Sequence, residues 1–174
     1  MLKVVIIGPE STGKSTLAQG LAEYFGEPWV PEYAREYIDR IGRDYLYEDL
    51  LEIAKGQIRE ENRLENAARN LLFCDTNLMV IDVWSKHKYG QTDKWIIDTI
   101  KNRPYDLYLL TDIDMPWEED PQREHPDPEM RAYFFELYAK KIKQTKVPYS
   151  LISGSKKERL DKAIKIIQAF YEKG

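Results

Sequence analysis

Eight residues near the start of the chain, Gly8-Pro9-Glu10-Ser11-Thr12-Gly13-Lys14-Ser15, match the phosphate-binding pattern G-x-x-x-x-G-K-[ST] at every fixed position. An apolar run, Leu2 to Ile7, precedes them and an amphipathic stretch, Thr16 to Phe25, follows. The glycines let successive backbone N–H groups curl around a polyphosphate, and a helix starting near Lys14 aims its positive end at the same anion. Lys14 has the reach for the outer phosphates, and the Ser15 hydroxyl suits Mg²⁺. The pattern and its flanks imply a site for a nucleoside triphosphate.

Other candidates follow from where ligands bind in parallel sheets, at the carboxyl ends of strands. Pro31-Glu32-Tyr33-Ala34-Arg35-Glu36 follows a short apolar segment. A carboxylate at Glu32 suits an acceptor hydroxyl, and Arg35 suits a phosphate or substrate oxygen. The plain alternative is a helix cap and a surface ion pair. Asp75-Thr76 follows Leu71-Leu72-Phe73-Cys74, the place for an acid that supports Mg²⁺ beside a phosphate loop. Cys74 reads as a buried small hydrophobe. His87 and His125 have no metal-ligand spacing and read as surface residues. A guanine-nucleotide switch would need D-x-x-G where Asp75-Thr76-Asn77-Leu78 stands. It would also need N-K-x-D where Thr111-Asp112-Ile113-Asp114 stands. Trp29, Trp84, Tyr89 and Trp117 fall near strand ends or a proline-rich loop, where aromatic rings beside carboxylates suit a flat cationic ring.

These residues must be carried by alternating strands and helices, hence a parallel sheet covered by helices. The strands are expected at Leu2–Ile7, Trp29–Pro31, Leu71–Cys74, Asp106–Leu110 and Tyr149–Ile152. A long helix is expected from Glu48 toward Asn70, and a helical region from Asn77 to Asn102 with a break near Gly90. Asp127-Pro128 reads as an N-cap and first helical residue. Met130, Tyr133, Phe134, Leu137 and Tyr138 then form one stripe, and Leu160, Ala163, Ile164, Ile167 and Phe170 another. Between Asp112 and Pro128 lie four prolines, many acids and Arg123, a segment that suits a mobile lid.

The bulk numbers fit one domain spanning residues 1–174, with the lid at about 112–128. A net charge of −4 argues against nucleic acid as partner. No apolar run reaches membrane-spanning length. The chain opens directly into a strand, without a signal peptide, and carries one cysteine. The expectation is a soluble, cytoplasmic protein with a small-molecule substrate. Oligomeric state is not readable.

In combination, the residues resemble the ribosylnicotinamide kinase domain of the bacterial NadR family. The resemblance spans nearly the whole chain: Gly8–Ser15 with its Pro-Glu-Ser-Thr filling, Glu32-Tyr33-Ala34-Arg35-Glu36, Gly56-Gln57 and Asp75-Thr76. It continues through the Asp106–Leu110 strand, Pro116-Trp117-Glu118-Glu119-Asp120, Arg123, Val147-Pro148-Tyr149 and Arg159. It implies an α/β P-loop kinase fold of three layers, with a five-stranded parallel sheet in the order 2-3-1-4-5, helices on both faces and a lid. It implies transfer of the ATP γ-phosphate to the 5′-hydroxyl of nicotinamide riboside, with ATP and Mg²⁺ required. By position, Gly8, Glu10, Ser11, Thr12, Gly13, Lys14, Ser15 and Thr16 would hold ATP, with Arg159 stacked on adenine. Ser15 and Asp75 would support the metal. Glu32, Tyr33, Arg35, Gln57, Asp75 and Trp84 would line the acceptor side, Trp84 as an aromatic wall. Lys14, Glu32, Asp75 and Arg123 would be catalytic, with either Glu32 or Asp75 orienting the hydroxyl; Glu32 is the working choice. The chain departs from the family at Asn77, where a second acid is frequent, and at Pro121, where the lid usually has glycine. The H-x-G-H string of the family's adenylyltransferase domain is absent. Two other readings stay open: a kinase for another nucleoside or small alcohol, and an ATP-binding regulatory module with no acceptor.

Overall fold

The computed structural model describes residues 1–172. Five parallel strands form one sheet: β1 (Leu2–Ile7), β2 (Trp29–Val30), β3 (Leu71–Asp75), β4 (Leu107–Thr111) and β5 (Tyr149–Ile152). Their order, β2-β3-β1-β4-β5, is the expected one. β1 sits at the centre, with Val4 opposite Phe73 on one side and Leu107 on the other. β3 runs one residue past its expected end, because Asp75 pairs in register with Ile6. β2 has only two residues, since Pro28 and Pro31 flank it and proline cannot donate to a ladder.

Alternation along β1 builds two cores. Val5 and Ile7 face one side with Leu72, Cys74, Tyr108 and Leu110. There α4 (Leu78–Tyr89) and α6 (Pro128–Thr145) cover them with Val80, Val83, Phe134, Tyr138 and Ile142. Val4 and Ile6 face the other side, under Leu17 and Leu21 of α1 (Lys14–Phe25) and Ala163, Ile164 and Ile167 of α7 (Lys156–Tyr171). Cys74 is fully buried and its thiol is pushed up by burial, as fits a small core hydrophobe.

A third cluster holds the corner beside β2. It joins α2 (Tyr33–Ile41), α3 (Tyr47–Glu65), α4 and α5 (Lys94–Asn102) through Ala34, Leu50, Ile53, Leu78, Ile81 and Ile96. α3 ends five residues before Asn70, where the Leu64 carbonyl accepts from both Ala67 and Ala68 N–H. The expected break near Gly90 separates α4 from α5, and Asp127 caps α6 by accepting from Met130 N–H. Residues 112–127 hold no helix or strand. No helix among the described residues is long and apolar enough to cross a membrane.

Candidate active site

The phosphate loop leaves β1 and enters α1 at the carboxyl edge of the sheet. Gly8 has no room for a side chain: a Cβ there would lie 2.3 Å from Thr111 Oγ1. The Thr12 and Thr111 hydroxyls lie 2.6 Å apart, and Thr12 Oγ1 donates to the Pro9 carbonyl, so the loop is tied to β4. Lys14 Nζ donates to the Pro9 carbonyl at 2.7 Å, spanning the mouth of the loop. Two non-glycine residues near the loop adopt left-handed backbone, Ser11 (φ 56°) and Thr76 (φ 70°). Such conformations cost energy and gather at functional sites.

Ser15 Oγ donates to Asp75 Oδ2 at 2.5 Å, which joins the loop to the end of β3. Asp75 is almost fully buried, and its second oxygen, Oδ1, has no hydrogen-bond partner. A buried, orphaned carboxylate oxygen beside a hydroxyl fits an Mg²⁺ site. No group of three or more His, Cys, Asp or Glu side chains could hold a metal among the described residues. Ser15 and Asp75 therefore suit an ion that arrives with phosphate and water ligands, as Mg²⁺ does, better than a resident metal.

Glu32 stands at the start of α2, facing the loop. Burial, and next the charge of Asp75, push its carboxyl up to about 7, against the opposing pull of Lys14 and Arg35. Burial raises Asp75 as well, opposed by Lys14 and Ser15. Two acids share this end of the sheet with one lysine, so a proton is readily held between them.

One cleft brings together Gly8, Glu10 to Thr16, Glu32, Arg35, Trp84 and Arg123, all expected from sequence. Four expected residues lie outside its lining, among them Asp75, which meets the cleft through Ser15. Tyr33 packs its ring on Gly56 and Tyr37, and its N–H donates to Gln57 Oε1 at 2.9 Å. Gln57 is buried behind Glu32 and Trp84 and supports the first turn of α2. Arg159 corrects the expectation of adenine stacking. Its guanidinium is 2% exposed and donates to the carbonyls of Gly154, Thr12 and Asp112 and to the Asp114 carboxylate. With its faces covered it braces the loop from behind.

The segment 112–127 lies docked over the loop. Glu118 N–H donates to Ser11 Oγ at 2.8 Å, and the N–H groups of Glu124 and His125 donate to the Glu10 carboxylate. Arg35 pairs with Asp120 at 2.7 Å, and Gln122 donates to the Arg35 carbonyl and to Asp39. Arg123 donates to Ser11 Oγ and the Glu118 carbonyl, with its guanidinium 5.9 Å from the Trp117 ring.

The structure adds residues that the sequence did not single out. His87 and His125 lie at the surface as expected, yet their rings meet at 5.4 Å, both against Phe134, and both line the cleft. Their separation of 38 positions conceals the pairing. Arg131 lies on the buried face of α6. Its signal was available: an arginine at helical spacing from Phe134 and Tyr138, on the stripe that should be apolar. Asn77, the departure from the family's acid, caps α4. Its Oδ1 accepts from Met79 N–H and its Nδ2 donates to Tyr108 OH, both at 3.1 Å.

This sheet order and phosphate loop define a P-loop protein with the layout of small-molecule kinases. The chain belongs to the AAA domain family (AAA_28), whose model matches residues 3–159. It is 28% identical over 150 residues to the trifunctional NAD biosynthesis/regulator protein NadR of Salmonella typhimurium, and 27% to that of Escherichia coli. Each match covers 84% of this chain and 37% of the relative, so the chain spans just over a third of those proteins. Among solved structures, NadR protein in complex with NAD and AMP-PNP superposes with a TM-score of 0.79 at 25% identity, covering 97% of this chain and 49% of that one. A thymidylate kinase from Ehrlichia chaffeensis, at 15% identity and a TM-score of 0.65, shares the fold, covering 95% of this chain and 98% of its own.

Proposed function

We propose that the protein is an ATP-dependent phosphotransferase that phosphorylates the 5′-hydroxyl of nicotinamide riboside to give nicotinamide mononucleotide. The observation that carries the reading is the juxtaposition of Glu32, Arg35 and Trp84 with Lys14, Ser15 and Asp75 at one end of the sheet. A protein that only hydrolysed ATP would need no such acidic, aromatic chamber beside the phosphate loop. The comparison with NadR supports the choice of acceptor: NadR has also been solved in complex with NR, at 24% identity to this chain.

In this reading the reaction is an in-line transfer governed by placement and charge. Loop N–H groups and Lys14 hold the triphosphate. Ser15 and Asp75 would hold Mg²⁺, which when bound neutralises charge on the outer phosphates. Glu32 in its ionised form accepts the hydroxyl proton. A carboxyl with a pKa of about 7 is half ionised near neutral pH and so is matched to that task. Arg123 neutralises charge on the moving phosphoryl group from above. Trp84 offers a ring face, and the surrounding carboxylates favour a pyridinium cation. The expected setting is the cytoplasm, where ATP is abundant.

The test is ADP production from Mg²⁺-ATP with and without nicotinamide riboside, with the product identified by mass. Stimulated ADP release and a mononucleotide product support the reading. ATP turnover that yields no phosphorylated acceptor across a nucleoside panel would replace it with a regulatory ATPase.

A further inference from the structure

Arg131 has no part in the chemistry above, yet it is unusual among the buried groups. It is 8% exposed, projects from α6 beneath the lid, and makes two hydrogen bonds from one nitrogen: Nη2 donates to the Ser11 carbonyl and to the Met115 carbonyl, each at 3.2 Å. Its Nε is buried without a partner, and the side chain forms no ion pair among the described residues. Another cation, Arg123, acts on it, and the Trp117 ring lies at 5.8 Å. A buried cation without a carboxylate is costly, and such a cost persists where function needs it.

One of its two targets, Ser11, is the loop residue held at φ 56°. Few non-glycine residues adopt that conformation unaided. In a phosphate loop, a left-handed residue beside right-handed neighbours turns consecutive N–H groups to one side, where an anion sits. Ser11 is fixed from both ends: Arg131 takes its carbonyl, and the lid takes its hydroxyl through Glu118 and Arg123. Met115, the other carbonyl partner, lies against Gly13 of the same loop.

We propose that Arg131 is a positioning residue for nucleotide binding: it holds the strained Ser11 peptide in its anion-binding conformation and ties it to the start of the lid. It acts on the triphosphate through the loop and not by contact with the acceptor. Its bearing on turnover rests on the kinase reading; its effect on ATP affinity needs no acceptor.

The experiment is calorimetric binding of AMP-PNP with Mg²⁺ to the full chain, for the wild type, Arg131→Lys, Ser11→Gly and the double variant. Lysine keeps the charge but not the fork, so the chain should fold, and a melting curve checks that it does. Arg131→Lys should weaken AMP-PNP binding about tenfold, the effect of losing charge-assisted hydrogen bonds. The KM for the acceptor should not move. Glycine accepts a positive φ without help. In the Ser11→Gly background most of the Arg131→Lys penalty should therefore vanish, whereas a packing role would leave the two penalties additive. Wild-type affinity in folded Arg131→Lys, or additivity in the cycle, overturns the proposal. A wild-type chain that does not bind AMP-PNP overturns the kinase reading along with it.

Discussion

As the proposed base, Glu32 faces opposing demands of stability and reactivity. Its carboxyl is held up at about 7 by burial and by Asp75. Folding therefore favours its protonated form, and this contribution is complete below the ordinary carboxylate range. It is lost as the pH rises through about 7. The proposed role needs the opposite form. The acidic limb of the pH profile of kcat/KM should accordingly rise through about 7 in the wild type and be missing from the residual activity of Glu32→Gln. The same variant should melt higher than the wild type at about pH 8.5 and no higher at about pH 4.5, because only at high pH does the wild type hold a buried charge. Thermal unfolding at the two pH values checks the sign. If Glu32→Gln keeps its turnover and its acidic limb, Asp75 becomes the carboxylate that orients the hydroxyl.

At the scale of elements, α2 is aimed by α3. A Cβ on Gly56 would sit 1.9 Å from the Tyr33 ring. The same turn of α3 supplies Gln57, which accepts from Tyr33 N–H. The adjacent pair on α3 thus fixes the first turn of α2, and with it Glu32. In an unencumbered helix, Gly→Ala would stabilise by about 0.5–1 kcal/mol. At position 56 it should instead destabilise by about 1–3 kcal/mol, the cost of overpacking, read by denaturant unfolding. Kinetics should show kcat falling more than ATP affinity, since the loop lies on a different element. Asn77→Ala offers a contrast. It removes the cap of α4, which should cost about 1 kcal/mol in the same unfolding measurement and leave AMP-PNP binding unchanged.

Those two positions also show where sequence is legible. The pair Gly56-Gln57 could be noticed as part of a resemblance, but not understood, because its meaning lies in a ring on another helix. Asn77 stood out as a missing acid, when locally it is a cap. What could be read directly was local: the phosphate loop between strand and helix, Asp75 closing an apolar strand, and Asp127-Pro128 opening a helix. The sheet order came with the resemblance, since spacing alone does not rank parallel strands. Arg159 differs from its expectation because a basic residue after the last strand gives no sign of the four acceptors waiting for it. The meeting of His87 with His125, and of Glu10 with the backbone at 124 and 125, requires a folded chain.

At the scale of the whole molecule, the segment 112–127 is held by groups that the proposed reading assigns to substrate. Glu10 and Ser11 belong to the phosphate loop and Arg35 lies on the side proposed for the acceptor, yet each also binds the segment 112–127. No strand or helix stiffens that segment, so its position depends on polar contacts, these and those of Arg131 and Arg159. Exposed contacts of this kind are individually weak, and a lid role requires the segment to swing away for nucleotide to enter and leave. Its opening should then be visible as limited proteolysis between Asp114 and Asp127. Glu10→Ala removes the acceptor for two N–H groups without removing any loop N–H from the phosphate site. Cleavage should become about tenfold faster, because the fraction of time spent open sets the rate when reclosing is quick. AMP-PNP with Mg²⁺ should slow cleavage of the wild type, since a ligand that binds the closed form withdraws population from the open one. It should slow the variant less. Equal cleavage rates in both proteins would mean that the Glu10 contacts do not hold the lid, and that Arg35 and Arg131 do so without them.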